Sequence, residues 1–425
     1  MTLASELSFA RFLTVDGRLL FATRLVRLFA YGFLSVVLAL YLAQVGLTTT
    51  QIGMLFTFTL IGDAGISLWI TTSADRIGRK RMLLLGAGLM LFAGIVFVLT
   101  GNIVLLIAAA IIGVLSPSGN EIGPFLSIEQ AALSQIVPDD QRTRTFAWYS
   151  LVGSFATATG ALVGGGVAQG LQATGSTPLE SYRAIVIGYA LFGVALAVLF
   201  SRLSPAIEAT GAIQSAPRTL GLHRSRGVVL RLSALFALDA FAGGFIVQSL
   251  VAYWFHVRFG VEPAVLGSIF FGANILAGIS ALSAARVAAR IGLINTMVFT
   301  HIPSNVLLML VPLMPNLPLA IAMLLLRFSI SQMDVPTRQS YTMAVVAPDE
   351  RSAASGVTTI ARSIGAAISP SLAGILLSAS LISVPFFLSG GIKIIYDLTM
   401  WFSFRSLKPP EEKVAHDAQC ARLRG

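Results

Sequence analysis

Ionisable residues inside otherwise apolar stretches are the part of this sequence best suited to chemistry. They are Arg27, Asp63, Glu121, Asp239, Arg327, Asp334, Arg362 and Lys393. A charge surrounded by hydrocarbon is costly unless it is paired or reaches water, so such residues usually mark sites of ion or substrate movement. Burial also raises the pKa of a carboxyl group, which lets it exchange a proton near neutral pH. Glu121 and Asp239 are our candidates for carrying a proton.

Other charged residues are spaced for pairing along a single helix. Arg327, Asp334 and Arg338 are separated by seven and then four residues, which places them on one helical face. They predict either an internal Arg–Asp–Arg ladder or an Arg327 that is freed to bind an anion. Lys393 and Asp397, four residues apart, predict a pair within their own helix.

Residues that hold metals or attack substrates form no recognisable cluster in the sequence. The four histidines are scattered, and we expect His301 to be packed or hydrogen-bonded. The single cysteine, Cys420, leaves no disulfide framework and no thiolate metal site. Neither an H-E-x-x-H element nor a nucleotide-binding P-loop is present. We therefore expect no cofactor, no metal and no enzymatic activity, with a membrane-embedded enzyme as a remote alternative.

The elements that must position the charged residues are long apolar stretches. The chain has a mean hydropathy of +0.83, and only 11% of its residues are charged, compared with about a quarter in soluble proteins. A transmembrane helix needs about 20 mostly apolar residues, and twelve such stretches can be placed. The predicted fold class is an all-α membrane protein with twelve transmembrane helices.

The net charge of +10 reflects membrane topology. Most Lys and Arg residues lie in the termini and in alternate loops, which is the positive-inside pattern and places both termini in the cytoplasm. This distribution indicates the lipid bilayer as a partner and argues against nucleic acid. The N-terminus lacks the pattern of a cleaved secretory signal, so we expect the first span to remain as an anchor.

The sequence divides into two related halves at its longest internal polar stretch. We predict an N-terminal six-helix bundle over 1–200, a cytoplasmic linker over 201–227, a C-terminal six-helix bundle over 228–407 and a mobile cytoplasmic tail over 408–425. Shifted by 214 residues (290 minus 76), Arg76-Ile77-Gly78 falls on Arg290-Ile291-Gly292, and Gly46 falls on Gly260. Two pseudo-symmetric bundles are one way to build a site that opens alternately to either side.

The turn between spans two and three has the sequence Asp75-Arg76-Ile77-Gly78-Arg79-Lys80-Arg81. It resembles the pattern Gly-x-Leu-Ala-Asp-Arg-x-Gly-Arg-Arg/Lys of the major facilitator superfamily, with Thr71 and Ser73 in place of the Gly and Leu. Together with the twelve-span plan and the central loop, this resemblance covers essentially the whole chain.

The resemblance implies a role for the turn. In the superfamily, the acidic residue latches onto the entry of span eleven, here Asp349 and Glu350, where a helix N-terminus favours negative charge. Asp75 would be the latch, with Gly78 in the turn and Arg76 and Arg79 as local partners. The alternative, favoured for Lys80 and Arg81, is that the cations only fix topology.

The resemblance also implies which residues face the cavity. Spans two and eleven face each other in the superfamily, which predicts an Asp63–Arg362 pair, either as a clasp or as part of the coupling switch. Candidate cavity residues are Arg27, Tyr31, Asn120, Gln248, Arg327 and Gln332. For Arg27 the favoured alternative is snorkelling to the cytoplasmic surface. We expect Glu129 to be a surface salt-bridge partner.

A glycine-rich pattern in span eleven resembles the antiporter signature of the superfamily. Its residues are Gly356, Gly365, Ser369, Pro370, Ala373 and Gly374, and span five keeps Gly160, Gly164 and Gly165. Small residues let helices approach closely, and a proline bends a span. The pattern favours antiport, although glycine-rich spans occur in many helical bundles.

Taken together, these features predict a monomeric secondary active transporter that works by alternating access in the plasma (inner) membrane. We expect proton-coupled export of a small organic molecule, with a leaning toward amphipathic or anionic molecules because of Arg327. A proton-coupled importer or uniporter of the same fold is the nearest alternative, and a channel is a third.

Overall fold

The structure, a computed structural model, describes residues 14–121, 125–208, 223–347 and 350–407. These residues form helices joined by turns, and the helices follow the order of the predicted spans. Spans one, four, seven and ten each consist of two helices. In chain order the spans are Val15–Ser35 with Leu38–Gln44, Thr49–Ile77, Arg79–Leu99, Ile103–Ile112 with Phe125–Ile136, Asp139–Ala173, Pro178–Ser201, Arg226–Gly244 with Gln248–Phe259, Pro263–Ile291, Leu293–Leu310, Leu317–Phe328 with Asp334–Val345, Arg351–Ser378 and Val384–Phe404.

Most of these spans have the length and apolarity needed to cross a bilayer. Eight candidate spans among the described residues meet both criteria, and the two helices of span one, bent by 45°, make a ninth. The apolar helices Ile103–Ile112 and Leu317–Phe328 are shorter, because spans four and ten are broken near their middle. Span twelve has 21 residues and carries Lys393 and Asp397. The fold class is therefore the predicted all-α membrane protein.

Span four is broken at the predicted sequence. Its first helix ends at Ile112, and the turn that follows contains Ser116, Pro117 and Gly119. Gly119 has a φ of 69°, which side-chain-bearing residues rarely adopt. Pro124, the second predicted breaker, lies outside the described residues. The break allows Phe125–Ile136 to take a direction of its own.

Left-handed glycines end equivalent segments in the two halves. Gly46 and Gly260 have φ values of 103° and 65°, and Gly78 and Gly292 have values of 115° and 86°. Both pairs are 214 residues apart (260 minus 46 and 292 minus 78). Since only glycine adopts this conformation at little cost, the same turn chemistry recurs at the sequence offset that predicted an internal repeat.

The chain forms two compact units. One comprises Met1–Gln214 with Val247–Asn274, and the other comprises Ser215–Ile246 with Ile275–Gly425. They differ from the predicted bundles in that residues 247–274 group with the first unit. One cause is the Ser249 hydroxyl, which lies 2.7 Å from the carbonyl oxygens of both Ser35 and Pro117. The middle of the predicted linker, residues 209–222, and the predicted tail 408–425 lie outside the described residues.

Close packing occurs at most, but not all, of the glycines predicted to allow it. A Cβ added to Gly160 or Gly164 would lie 2.1 or 2.2 Å from a carbonyl oxygen of span one, and one added to Gly165 would lie 2.2 Å from the Pro263 oxygen. In span eleven, a Cβ on Gly365 would lie 2.2 Å from the Ala237 oxygen.

Other members of the span-eleven pattern behave differently. Pro370 lies inside the helix, and Gly374 is buried. At Gly356 the packing prediction is wrong, because that glycine is exposed and no atom lies within 4 Å of its Cβ position.

Candidate functional site: two buried ion networks

The first unit contains a network centred on Arg27 and Glu129. Arg27 Nη1 and Nη2 donate to the two oxygens of Glu129, both at 2.7 Å, and neither side chain is exposed. Two parallel hydrogen bonds of this kind are the strongest arrangement that a guanidinium and a carboxylate form. Thr23 and Tyr149 also donate hydroxyl groups to Glu129. The pair fastens span one to the second half of span four.

Glu121 extends this network toward solvent. Its two oxygens accept from Arg24 Nη1 at 2.7 Å and from Arg27 Nε at 2.9 Å. The Glu121 side chain is 15% exposed, whereas that of Glu129 is fully buried. Arg24 Nε also donates to the Tyr149 carbonyl at 2.6 Å. Two guanidinium groups thus balance two carboxylates, and Glu121 is the one of these two carboxylates that water reaches.

These contacts correct two expectations about the first unit. Glu129 is not a surface residue, because the break in span four turns the helix Phe125–Ile136 so that this residue packs against span one. Arg27 does not snorkel to the surface, because its guanidinium is held by two carboxylates and covered by the Phe125 ring, whose centroid lies 4.8 Å from Cζ.

The second unit contains a network centred on Asp239 of span seven. Lys393 Nζ donates to one Asp239 oxygen at 2.5 Å, and Arg362 and Arg338 donate to the other at 3.1 and 3.2 Å. Arg338 also donates to Asp334 at 3.0 Å. One carboxylate therefore ties span seven to spans ten, eleven and twelve. The predicted Asp63–Arg362 pair would join the two units and stays a prediction; Asp63 accepts from Ser67 at 3.2 Å.

The predicted Lys393–Asp397 pair is wrong. Lys393 turns to Asp239, while Asp397 lies 2.8 Å from His301 Nδ1 and 3.2 Å from Asn305 Nδ2. The spacing of four residues brings two side chains to one helical face, but neighbouring helices offered each a better partner. His301 is buried and hydrogen-bonded, as expected.

The predicted ladder in span ten forms over only part of its length. Asp334 and Arg338 make the ion pair described above, and Arg338 continues to Asp239. Arg327 does not join by a hydrogen bond: its Nε is buried, and among the described residues it has no hydrogen-bond partner. Its Cζ lies 4.9 Å from the centroid of the Phe328 ring.

The two networks occupy equivalent positions with the signs of charge exchanged. Arg27 and Asp239 are 212 residues apart (239 minus 27), and Glu129 and Arg338 are 209 apart (338 minus 129). Each unit thus joins its first span to its fourth through one basic and one acidic residue. Sequence reasoning missed this relation, although a search of the repeat for charged positions of opposite sign would have found it.

The basic turn forms a separate cluster. Arg79 Nε donates to Asp75 at 2.8 Å, and its Nη1 donates to the Gln135 side chain and the Ile207 carbonyl, both at 3.0 Å. Lys80 Nζ donates to the Leu203 carbonyl at 2.7 Å. These contacts fasten the turn to span four and to the chain after span six. Asp75 is 56% exposed, and Arg76 is also exposed.

Two carboxylates missed by sequence reasoning cap helix N-termini beside the predicted linker. Glu208 accepts from the backbone N–H groups of Arg79 and Lys80 at 2.6 and 3.2 Å. Glu350 accepts from the backbone N–H groups of His223, Arg224 and Ser225, chiefly that of His223, and these bonds lower the pKa of Glu350 to about 2. Asp349, the other acidic residue at this entry, lies outside the described residues.

The remaining candidate residues are dispersed. Gln248 donates to the Ser35 hydroxyl at 2.8 Å, and the backbone N–H of Gln332 donates to the Ser280 hydroxyl at 3.2 Å. Tyr31 is fully buried, while Asn120 is exposed. Within the described ranges, no group of three or more His, Cys, Asp or Glu side chains is arranged to hold a metal ion.

Comparisons with known proteins identify the family. The family model of the Major Facilitator Superfamily matches residues 20–370, with a second match over 259–419. An uncharacterised membrane protein of Saccharomyces cerevisiae is 30% identical over 416 residues, which cover 91% of this chain and 93% of the yeast protein. The chain belongs to the Major Facilitator Superfamily. It is therefore a multi-pass membrane transporter of the alternating-access type.

Solved structures show the same fold at low identity. A nucleoside transporter, NupG, gives a TM-score of 0.70 at 12% identity, with 92% of this chain and 99% of that chain covered. A D-xylose–proton symporter gives 0.67 at 15% identity, with 91% and 97% covered. A bacterial homologue of the human lysosomal transporter Spinster, inward-facing and unoccupied, gives 0.69 at 15% identity, with 92% and 96% covered.

Proposed function

We propose that this transporter exports a small organic molecule in exchange for protons across the plasma membrane, as a monomer with both termini in the cytoplasm. The observation that carries the proposal is the pair of buried ion networks, one in each unit, each built around carboxylates that lie within spans. Ionisable groups at membrane depth are costly and usually serve transport. The positive-inside distribution of Lys and Arg supports the placement of the termini.

Glu121 is the proposed proton carrier of the first unit. A proton on Glu121 removes its attraction for Arg24 and Arg27, while Arg27 keeps both bonds to Glu129. Span one would therefore loosen from the segment that carries Glu121 without leaving a buried guanidinium uncompensated. The partial exposure of Glu121 gives the proton a path from water.

Asp239 is the proposed proton carrier of the second unit. Its carboxylate holds Lys393, Arg338 and Arg362, so protonation weakens the link between span seven and three other spans at once. Arg362 is 34% exposed, which places it where water meets this network. Coupling to protons also fits a fold shared with a proton symporter, although that is an analogy of fold alone.

Export, and the latch at the basic turn, rest on sequence features of the superfamily. Span eleven has the glycines and the proline of the antiporter-like pattern, and Gly365 lies against the backbone of span seven. We assign Asp75 to the latch, with Arg79 orienting its carboxylate through the bond at 2.8 Å. The exposure of Asp75 leaves one carboxylate oxygen able to take a further donor.

Everted membrane vesicles test the proposal. With an acid-inside gradient imposed, panels of drugs, sugars and organic acids are added while a pH-sensitive dye is monitored. We expect at least one compound to dissipate the gradient in vesicles that contain the protein, and Glu121→Gln to abolish this effect. Glu262→Gln, which alters an exposed carboxylate between spans seven and eight, is the matched control. Uptake into whole cells with no proton movement would contradict antiport and favour a uniporter.

A further inference from the structure

The break in span ten lies between Phe328 and Asp334, where residues 329–333 form turns. Non-helical backbone at membrane depth is tolerated only where protein buries it or where it lines a water-filled cavity. In transporters of this kind, broken spans commonly supply the substrate site. This break is therefore a place to search for groups that await a ligand.

Two buried polar atoms at the break have no hydrogen-bond partner among the described residues. They are Arg327 Nε and Ser331 Oγ, on side chains of residues that are 9% and 4% exposed. The Ser331 N–H donates to the Arg327 carbonyl at 3.0 Å, so the helical turn between the two residues is preserved. Residues four apart on a helical turn lie side by side. A buried polar group left unsatisfied is costly, so two neighbouring ones indicate a shared partner.

The charges inside the second unit leave Arg327 without a counter-ion. Within its described spans the buried or half-buried cations are Arg327, Arg338, Arg362 and Lys393, and the buried carboxylates are Asp239, Asp334 and Asp397. With His301 neutral, four cations face three carboxylates. Asp334, the carboxylate nearest to Arg327 in sequence, is held by Arg338 at 3.0 Å. The unit is one negative charge short, and the surplus cation is the one at the break.

The geometry points to a binding site for a singly charged anionic group, such as a carboxylate, formed by Arg327 Nε–H and the Ser331 hydroxyl. The guanidinium supplies the charge and a directed donor, and the hydroxyl supplies a second donor to the same group. This inference rests on the proposed transport function and narrows its cargo to organic monoanions. The inorganic ions of the medium lack the apolar body that such a carrier's cargo has, so they serve only as competitors.

The site can be tested without knowing the natural cargo. Cys420 is the only cysteine, so a full-length Cys420→Ser chain carrying Ser331→Cys reports on one position. Its reaction rates with anionic sulfonatoethyl methanethiosulfonate and cationic trimethylammonioethyl methanethiosulfonate are compared in vesicles accessible from both sides. Ser329→Cys, two residues away and hydrogen-bonded to its own helix at Leu326, is the matched control.

We expect the anion-to-cation rate ratio at Ser331→Cys to exceed that at Ser329→Cys by about tenfold or more, as one unit charge within a few ångströms predicts. Arg327→Gln should remove the excess, and Arg327→Lys should keep it. If Arg327→Gln does not fold, protection of Ser331→Cys by benzoate but not by benzamide decides the question.

Equal ratios at the two positions, an excess that survives Arg327→Gln, or no reaction at Ser331→Cys with either reagent would overturn the assignment. Failure of proton coupling in everted vesicles would leave these labelling rates unchanged, so the two proposals can fail separately.

Discussion

Arg27 binds Glu129 through two parallel hydrogen bonds of 2.7 Å, and no part of either side chain reaches solvent. Breaking a buried pair by removing one partner leaves an uncompensated charge and costs about 3–5 kcal/mol. We therefore expect Glu129→Gln to lower the thermal unfolding midpoint of the detergent-solubilised protein by many degrees. Arg27→Met with Glu129→Leu should recover most of that loss. A single variant as stable as the exposed control Glu262→Gln would contradict the buried pair.

Asp239 makes the corresponding test in the second unit. Asp239→Asn leaves Lys393, Arg338 and Arg362 with weaker compensation, and we expect a clear loss of thermal stability. Adding Lys393→Met removes the closest of the three cations and should restore part of the loss. Size-exclusion profiles after heating measure both effects. If the double variant is less stable than Asp239→Asn, Lys393 does not depend on Asp239 in the way the structure indicates.

Gly365 and Gly356 provide a matched pair within span eleven. A Cβ at Gly365 would lie 2.2 Å from a backbone oxygen of span seven, whereas nothing lies within 4 Å of a Cβ at Gly356. Overpacking of this kind typically costs about 1–3 kcal/mol. We expect Gly365→Ala to destabilise the protein and Gly356→Ala to be neutral or slightly stabilising in the same heating assay. Equal effects of the two substitutions would show that spans seven and eleven are not in close contact there.

Glu350 gives a prediction for pH dependence. Its pKa falls from 4.5 to about 2 on folding because three backbone N–H groups bind the carboxylate. A carboxyl whose pKa is lowered by folding stabilises the protein above its unfolded pKa, and this contribution is lost as the pH falls. Glu350→Gln should therefore be less stable than the unchanged protein at pH 7. The difference should narrow as the pH is lowered from 4.5 toward 2, and a constant difference would contradict the assignment.

The order of the spans followed from sequence because it depends on local features. Apolar length marked the helices, Pro117 and Gly119 marked the break in span four, and Gly78 and Gly292 marked matching turns. Each of these acts through its own backbone or its immediate neighbours, so one chain read in order was enough to find them.

The partners of the charged residues did not follow in the same way. Lys393 and Asp397 are neighbours on one helix, yet each binds a residue far away in the chain. Glu129 is near a polar loop in sequence but is buried, because the break in span four turns its helix inward. Such pairings depend on how helices pack, which periodicity alone does not determine.

Gradient-driven transport in proteoliposomes tests the central claim most directly. A compound that passes the vesicle screen is loaded with a pH gradient, and separately with no gradient but with unlabelled compound on the other side to measure exchange. We predict that the unchanged protein performs both processes, while Glu121→Gln and the charge-balanced Asp239→Asn with Lys393→Met perform exchange alone. Gradient-driven accumulation that persists in both variants would show that neither network carries the proton.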